Sequence, residues 1–334
     1  MRRRSRCVAL SPLPSLVRAC WSAAAALAVM VGATTATPAF TFDYVGQLPL
    51  ERGASTHARP EAVAVHPSTG EICVTEAAGS ALHLFNADGA PVFTTSLAAG
   101  LSTPASACLD DAGHLVCTDS DGPGRRTIRQ LDFRGEPTPW RPAAPRRVWN
   151  PLHLLVTGDG NYVALDPGAA LLTKHDVVTG ALLWVRELGG ENLTDLGLGR
   201  PCEGPDRTLY VPGGELHQVL VLDPEGNVSA AFGELGSAPG RFVAPIAVAP
   251  GPEGTLAVLD RMRHRVLLFG LDRQFLAEFG AMGAEPGNFY HPLALATSVG
   301  AKLAYVSQGY GGRVQVFRLD GLDPPAATAA SGAD

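Results

Sequence analysis

Nine histidines, six cysteines and 32 acidic residues are spread over 334 positions, and their spacing decides which chemistry they can share. His57, His153 and His291 stand near the starts of recurring apolar runs and are the one trio placed to share a metal. Their offsets differ: His57 precedes the proline of its run by three residues, whereas His153 lies two residues inside its own. Zinc requires ligands that converge on one point at about 2.0–2.1 Å, so neither a metal nor a cofactor is expected. His66, His83, His114, His175 and His217 fall in turns or outer runs, and His264 lies between Arg263 and Arg265. No G-x-S-x-G or other nucleophile motif occurs. The absence of C-x-x-C-H and of paired C-x-x-C excludes covalent haem and argues against a zinc ribbon. Cys108 and Cys117 flank the turn LDDAGHLV. A two-residue Ala112-Gly113 turn sets them opposite each other, within disulfide reach; a bulged turn shifts the register by one and leaves two buried thiols.

The elements that must position these residues come from an internal repeat. Five runs begin with proline and alternate in polarity: PEAVAV from Pro60, PASACL from Pro104, PLHLLV from Pro151, PIAVAP from Pro245 and PLALAT from Pro292. They are spaced by 44, 47, 94 and 47 residues, so the double interval calls for a degenerate copy, and TDLGLG (Thr194 to Gly199) fills it. Each unit then carries a second and a third short run, and turns such as Asp88-Gly89 and Glu225-Gly226 lead into a fourth. Short apolar runs separated by Gly, Asp and Pro are strands in antiparallel hairpins. Four strands in a repeat of about 40–50 residues make a propeller blade, and six repeats make an all-β, six-bladed β-propeller. The last unit lacks a fourth strand. Phe40, Phe42 and Tyr44 alternate with Thr41 and Asp43 in FTFDYVGQL, which supplies that strand and closes the ring; closure also removes open sheet edges.

The propeller is expected over residues 40–322. Before it, five arginines and no acid precede the apolar stretch Trp21 to Gly32 and the small-residue pattern Thr37-Pro38-Ala39. This is the layout of a signal peptide spanning residues 1–39, which predicts a secreted or periplasmic protein. The apolar stretch is shorter than the ~20 residues a membrane span requires, so no span is expected in the mature chain. Residues 323–334 read as a disordered Pro/Ala-rich tail. Removing the leader leaves 21 basic residues against 32 acidic ones, the opposite of a nucleic-acid-binding balance.

Over its last two repeats the chain resembles the NHL-repeat family of six-bladed propellers. Phe232-Gly233, Gly240, Phe242, Pro245, Asp260, Arg265 and Val266 follow that family's pattern, as do Phe279-Gly280, Gly287, Phe289, Pro292, Arg313 and Val314. The first four repeats lack the Phe-Gly and G-x-F elements. Such propellers include lyases, lactonases and binding platforms, so fold does not decide function. The resemblance implies, as the enzyme alternative, a metal-dependent lyase or lactonase with its site in the central channel. A lyase of this class holds a channel zinc through histidines; a lactonase wants a Glu with Asn or Asp around calcium, for which Glu61 and Asn150 are present without the surrounding motifs.

Blade topology places candidate binding residues. Loops before the first strands and loops between second and third strands share one face of the ring. Arg59, Asn150 and His291 precede first strands and differ between repeats, so the repeat does not demand them. Asp119, Asp260 and Arg263 come from the outer loops of that face, although an acid that caps a turn after a second strand, as Glu76, Asp119, Asp166 and Asp260 can, is also ordinary turn chemistry. Converging polar groups around a concavity mark a ligand site. The expected protein is therefore a monomeric binding or scaffold module that recognises a protein, peptide or glycan.

Overall fold

The computed structural model describes residues 40–50, 59–95, 99–189 and 196–320, which lie in one compact unit. The expected leader and tail, together with His57 and Thr194, lie outside the described residues.

Among the described residues, twenty-three strands form six small antiparallel sheets arranged as a six-bladed β-propeller. Blade one contains β2 (Pro60–Val65), β3 (Ile72–Glu76), β4 (Ala81–Phe85) and β5 (Pro91–Thr94); blade two contains β6 (Ser106–Leu109), β7 (Leu115–Ser120) and β8 (Arg126–Leu131). Blade three is β9 (His153–Val156), β10 (Tyr162–Asp166), β11 (Leu171–His175) and β12 (Leu182–Glu187). Blade four is β13 (Cys202–Glu203), β14 (Leu209–Gly213), β15 (Gln218–Leu222) and β16 (Val228–Phe232). Blade five is β17 (Pro245–Pro250), β18 (Leu256–Asp260), β19 (Arg265–Phe269) and β20 (Phe275–Phe279), and blade six is β21 (Pro292–Ser298), β22 (Leu303–Gln308) and β23 (Arg313–Asp320).

The missing strand of blade six is β1 (Thr41–Gln47), which pairs antiparallel with β23 from Thr41↔Asp320 to Gln47↔Gln315. Phe42 stacks on Phe279 of blade five at 4.6 Å, and Phe40 and Phe42 pack on the apolar cluster between blades five and six. Tyr44 stays more exposed, its ring edge-on to Phe317. Chain closure by the N-terminal strand is thus as expected.

The core is divided among the blade interfaces. Six apolar clusters each bridge one pair of adjacent blades, including the sixth with the first. Strands β3, β10 and β18, buried along their whole length, are the middle layer of this arrangement. A fully buried Leu, Val or Phe contributes about 1.5–3 kcal/mol, so the ring is stabilised mainly by these interfaces. The Phe-Gly and G-x-F elements act here. Phe242 and Phe289 are fully buried, and a Cβ at Gly233 or Gly280 would lie 2.5 or 2.3 Å from those rings. Both glycines also have φ above +80°, which glycine alone adopts at no steric cost.

Two blades depart from the sequence reading. In blade two the expected fourth strand (EPTPWRP) is reduced to a bridge between Leu131 and Pro137 and a hydrogen bond from Thr138 N to Gln130 O of 2.9 Å. Pro137 and Pro139 have no N–H to offer a ladder. In blade four the paired inner strand is Cys202–Glu203, downstream of TDLGLG. Leu198 and Arg200 make only isolated bridges, Arg200 to Ala247 of blade five in parallel. Gly199 packs so closely on Ile246 that a Cβ would sit 2.1 Å from its carbonyl oxygen. That close approach holds the chain against blade five and delays its entry into the sheet.

Candidate functional site

In five of the six blades a side chain at the end of the second strand ties down the backbone entering the first; blade four has Gly213 at that place. Glu76 accepts a hydrogen bond from Arg59 N, Asp166 from Asn150 N, and Gln308 from Tyr290 N. Asp119 accepts from Ser102 N and Thr103 N and pairs with Arg129 at 3.1 Å. Asp260 accepts from four backbone N–H groups: Val243 at 2.6 Å, Ala244 at 3.1 Å, Met262 at 3.1 Å and Arg263 at 2.9 Å. Asp119 and Asp260 are fully buried. The structure gives both a structural role in place of the ligand contact expected from the sequence, because a buried carboxylate is tolerated when its lone pairs are filled. Arg263 is corrected for the same reason. Its Nη2 donates to both carboxylate oxygens of Glu278 at 2.8 and 3.1 Å, its Nη1 donates to Arg241 O at 2.7 Å, and the side chain is almost wholly buried. Arg59 keeps an exposed side chain.

A cavity of about 790 Å³ opens on this same face between blades two and three. Its walls come from the loop types expected to share a face: Ser120 to Arg126 after β7, Arg146 to Asn150 before β9, and Asp166 to Ala169 after β10. Asn150 is in the wall, and its side-chain oxygen accepts from Arg126 N at 3.1 Å, joining the two blades. Arg125, Arg126, Arg146 and Arg147 line it; Leu152, Val148, Pro167 and Ala169 add apolar surface. The segment that carries Arg146 and Arg147 is pinned at both ends by buried tryptophans. Trp140 meets Tyr162 edge-on at 5.3 Å, and Trp149 lies 5.2 Å from His175. None of the four arginines was singled out from sequence. The Arg125-Arg126 and Arg146-Arg147 doublets, both in loops of the working face, were the available signal.

No family model and no curated protein matches the sequence. Solved structures do share its architecture. A structural-genomics protein of unknown function from Bacteroides thetaiotaomicron is 11% identical with a TM-score of 0.61, over 84% of this chain and 76% of that one. An auxiliary nutrient binding protein from the same organism is 12% identical with a TM-score of 0.60, over 79% and 69%. Virginiamycin B lyase from Staphylococcus aureus is 12% identical with a TM-score of 0.54, over 84% and 100%. These likenesses establish the propeller fold. They do not carry an activity with them.

The central channel of the propeller holds a second feature that the sequence did not announce. Arg200, ahead of the inner strand of blade four, donates through Nη2 to Glu61 O of blade one at 2.8 Å and to Ala105 O of blade two at 3.0 Å. Its backbone is meanwhile bonded to Ile246 O and Val248 N of blade five. One residue, through its side chain and its backbone together, therefore ties four blades across the channel. Burial lowers its pKa to about 10, against the opposing pull of Glu61. His153 is buried with an unpartnered Nδ1. Desolvation, with the charges of Arg200 and Arg126, holds it far below the ordinary histidine range, so it is neutral. His291 lies elsewhere, in an aromatic group with Tyr290 at 4.7 Å and His264 at 5.6 Å, and Tyr310 packs on Tyr290 at 4.9 Å. Among the described residues, no three His, Cys, Asp or Glu side chains converge as metal ligands.

Cys108 and Cys117 are not bridged. The register pairs Cys108 with Val116 and Cys117 with Ala107, because Leu109↔Leu115 encloses a five-residue loop. Asp110 caps that loop by accepting from Ala112 N and His114 N. The one-residue offset sends the thiols to opposite faces, Cys117 toward blade one and Cys108 toward blade three. Burial pushes both thiols up.

Proposed function

We propose that this chain is an exported, NHL-like propeller that acts as a binding module, holding a protein, peptide or glycan ligand on its loop face. The observation that supports the reading is the cavity between blades two and three. It is of ligand size, is built from loops on a rigid scaffold, and presents polar groups the blade architecture does not consume, which is the usual form of a binding site. The secretory layout of residues 1–39 supports export. The similarity of repeats five and six to the NHL pattern supports the family, since its Phe-Gly and G-x-F residues do the packing work in this ring. No observation favours the channel enzyme: Arg200 is engaged by two backbone carbonyls across the channel, His153 is buried, and His291 stands in a separate aromatic group.

The test is capture on peptide and glycan arrays by the mature protein. Arg147→Glu in the cavity should abolish capture, whereas Asp88→Ala and Glu225→Ala in the turns of the opposite face should leave it intact. Loss of capture only in the opposite-face variants refutes the assignment of the working face. Stoichiometric zinc or calcium that is removed by chelation together with a lyase or lactonase activity refutes the binding-module reading.

A further inference from the structure

Five arginines elsewhere in this protein have acidic partners, whereas others, Arg141, Arg200 and Arg313 among them, bond to backbone carbonyls. Arg129 pairs with Asp119, Arg263 and Arg265 with Glu278, Arg241 with Glu234, and Arg207 with Glu203. The four in the loop-face cavity do not. No carboxylate lies within 4 Å of Arg125, Arg126, Arg146 or Arg147 among the described residues. Arg126 donates to Thr103 O and Arg146 to Val148 O, while the guanidinium groups of Arg125 and Arg147 have no partner among the described residues. The one acid in the wall, Asp166, is buried and occupied by Asn150 N and Ala169 N. The chain as a whole has more acids than bases, 32 against 26, so the isolation of these arginines does not reflect a shortage of counter-charges.

Gathering four like charges around one concavity is unfavourable unless something of opposite sign fills it. Guanidinium forks match carboxylate and phosphate oxygens in geometry as well as charge. The apolar part of the lining, Val148, Leu152, Pro167 and Ala169, suits a carbon framework more than a bare inorganic ion. The volume is that of a small-molecule site, and the tryptophan anchors hold the arginine-bearing segment in place before any ligand arrives, which lowers the entropic cost of binding. We infer that the cavity between blades two and three binds a compact organic polyanion, one that carries two or more carboxylate or phosphate groups on a small carbon skeleton. The inference rests on the binding-module reading and names the chemistry of its ligand.

Calorimetric titration of the mature protein with citrate, trigalacturonate, glycerol 2,3-bisphosphate and uncharged maltotriose tests it. At least one anion should bind at low salt, weaken as salt is raised, and lose about tenfold or more in affinity in Arg125→Ala/Arg147→Ala. Thermal unfolding should leave that variant unchanged, since both side chains are exposed and unpartnered. The carboxylates against the bisphosphate distinguish the two sources of anionic oxygen, and binding by either supports the inference. It is overturned if no anion binds at low salt, or if anions bind the double variant as tightly as the parent. Maltotriose or array peptides captured equally by both proteins, with no anion bound, would overturn the polyanion while leaving the binding-module reading standing.

Discussion

Replacing Asp260 by alanine separates a structural acid from a ligand-binding one. Its carboxylate receives four backbone N–H groups at 2.6 to 3.1 Å and has no exposed surface. Each buried donor left without a partner costs about 1–3 kcal/mol. Val243 and Ala244 are half-buried, so water can rescue their N–H groups, and the loss should be about 3–5 kcal/mol rather than four full penalties. At about 2–4 °C per kcal/mol for a domain approaching this size, the melting temperature should fall by roughly 6–20 °C. Asp260→Asn keeps one acceptor oxygen but turns an amide N–H toward other N–H groups, so it should recover only part of that drop. Calorimetric or circular-dichroism melts of the three proteins provide the measurement. If Asp260→Ala melts within about 2 °C of the parent and instead loses array capture, the carboxylate serves the ligand and the latch argument is wrong.

Phe42→Ala should cost about 2–3 kcal/mol, less than a fully buried Phe→Ala, because Phe42 is half-buried against Phe279; an unchanged urea midpoint would show that β1 does not close the ring. Arg200→Met should cost roughly 2–4 kcal/mol by stranding two carbonyls that now share one donor, and denaturant titration showing no loss would remove its role as a channel tie. Acid should destabilise the fold through its histidines. His175, buried beside Trp149, has its pKa lowered from 6.5 to about 4 by desolvation, and burial lowers His153 as well. The unfolded chain therefore binds protons that the folded chain refuses, and stability is lost as pH falls from about 6.5 toward about 4. His175→Phe should flatten that part of the melting-temperature profile, and a profile identical to the parent's would refute the assignment. If residues 1–39 are a cleaved leader, N-terminal sequencing of protein exported by a bacterial host should begin at Phe40; retention of Met1 on exported protein would refute it.

The ring was legible because its signals are local and repeated. Proline at the head of an inner strand and alternating apolar runs recur at a fixed interval, and three alternating aromatics at the N-terminus required a partner sheet. The same logic placed Asn150 in a shared face of loops, where the cavity opens. What stayed hidden depended on contacts between distant parts of the chain. Whether Asp260 faces a ligand or the backbone of Val243 and Ala244 is a question of where its carboxylate points, and residue type does not carry that. Its recurrence as Glu76, Asp119, Asp166 and Gln308 at the same place in other blades was the available clue, and it favoured structure. Nothing local in the sequence marks Arg200, because its partners, Glu61 and Ala105, are far away along the chain. The Cys108–Cys117 reading turned on one residue of register, which was set by the Asp110 caps inside the loop rather than by the cysteines.

The position of the cavity follows from where the repeat fails. The segments that join blade four to five and blade five to six carry the full Phe-Gly and G-x-F pattern, and there the inter-blade segment folds back so that Phe242 and Phe289 seal against Gly233 and Gly280. That packing leaves the segment little freedom to form a recess. Between blades two and three the pattern is absent, and prolines interrupt the outer edge where a fourth strand would run. Beyond the bridge at Pro137, the chain from Pro139 to Asn150 crosses that interface without ladder pairing and buries Trp140 and Trp149 instead of a phenylalanine. Two anchors some ten residues apart, in place of one tight turn, leave an arch between them, and Arg146 and Arg147 stand on it, exposed. A repeat protein keeps its ring by holding the repeated contacts constant, so a site specific to one chain is built most cheaply where one interface has been released from them. By that reasoning, grafting the Phe-Gly and G-x-F segment of blade five in place of residues 133–150 should preserve the propeller while erasing the cavity and its ligand. If the graft folds and anion binding survives, the recess does not owe its existence to the broken repeat.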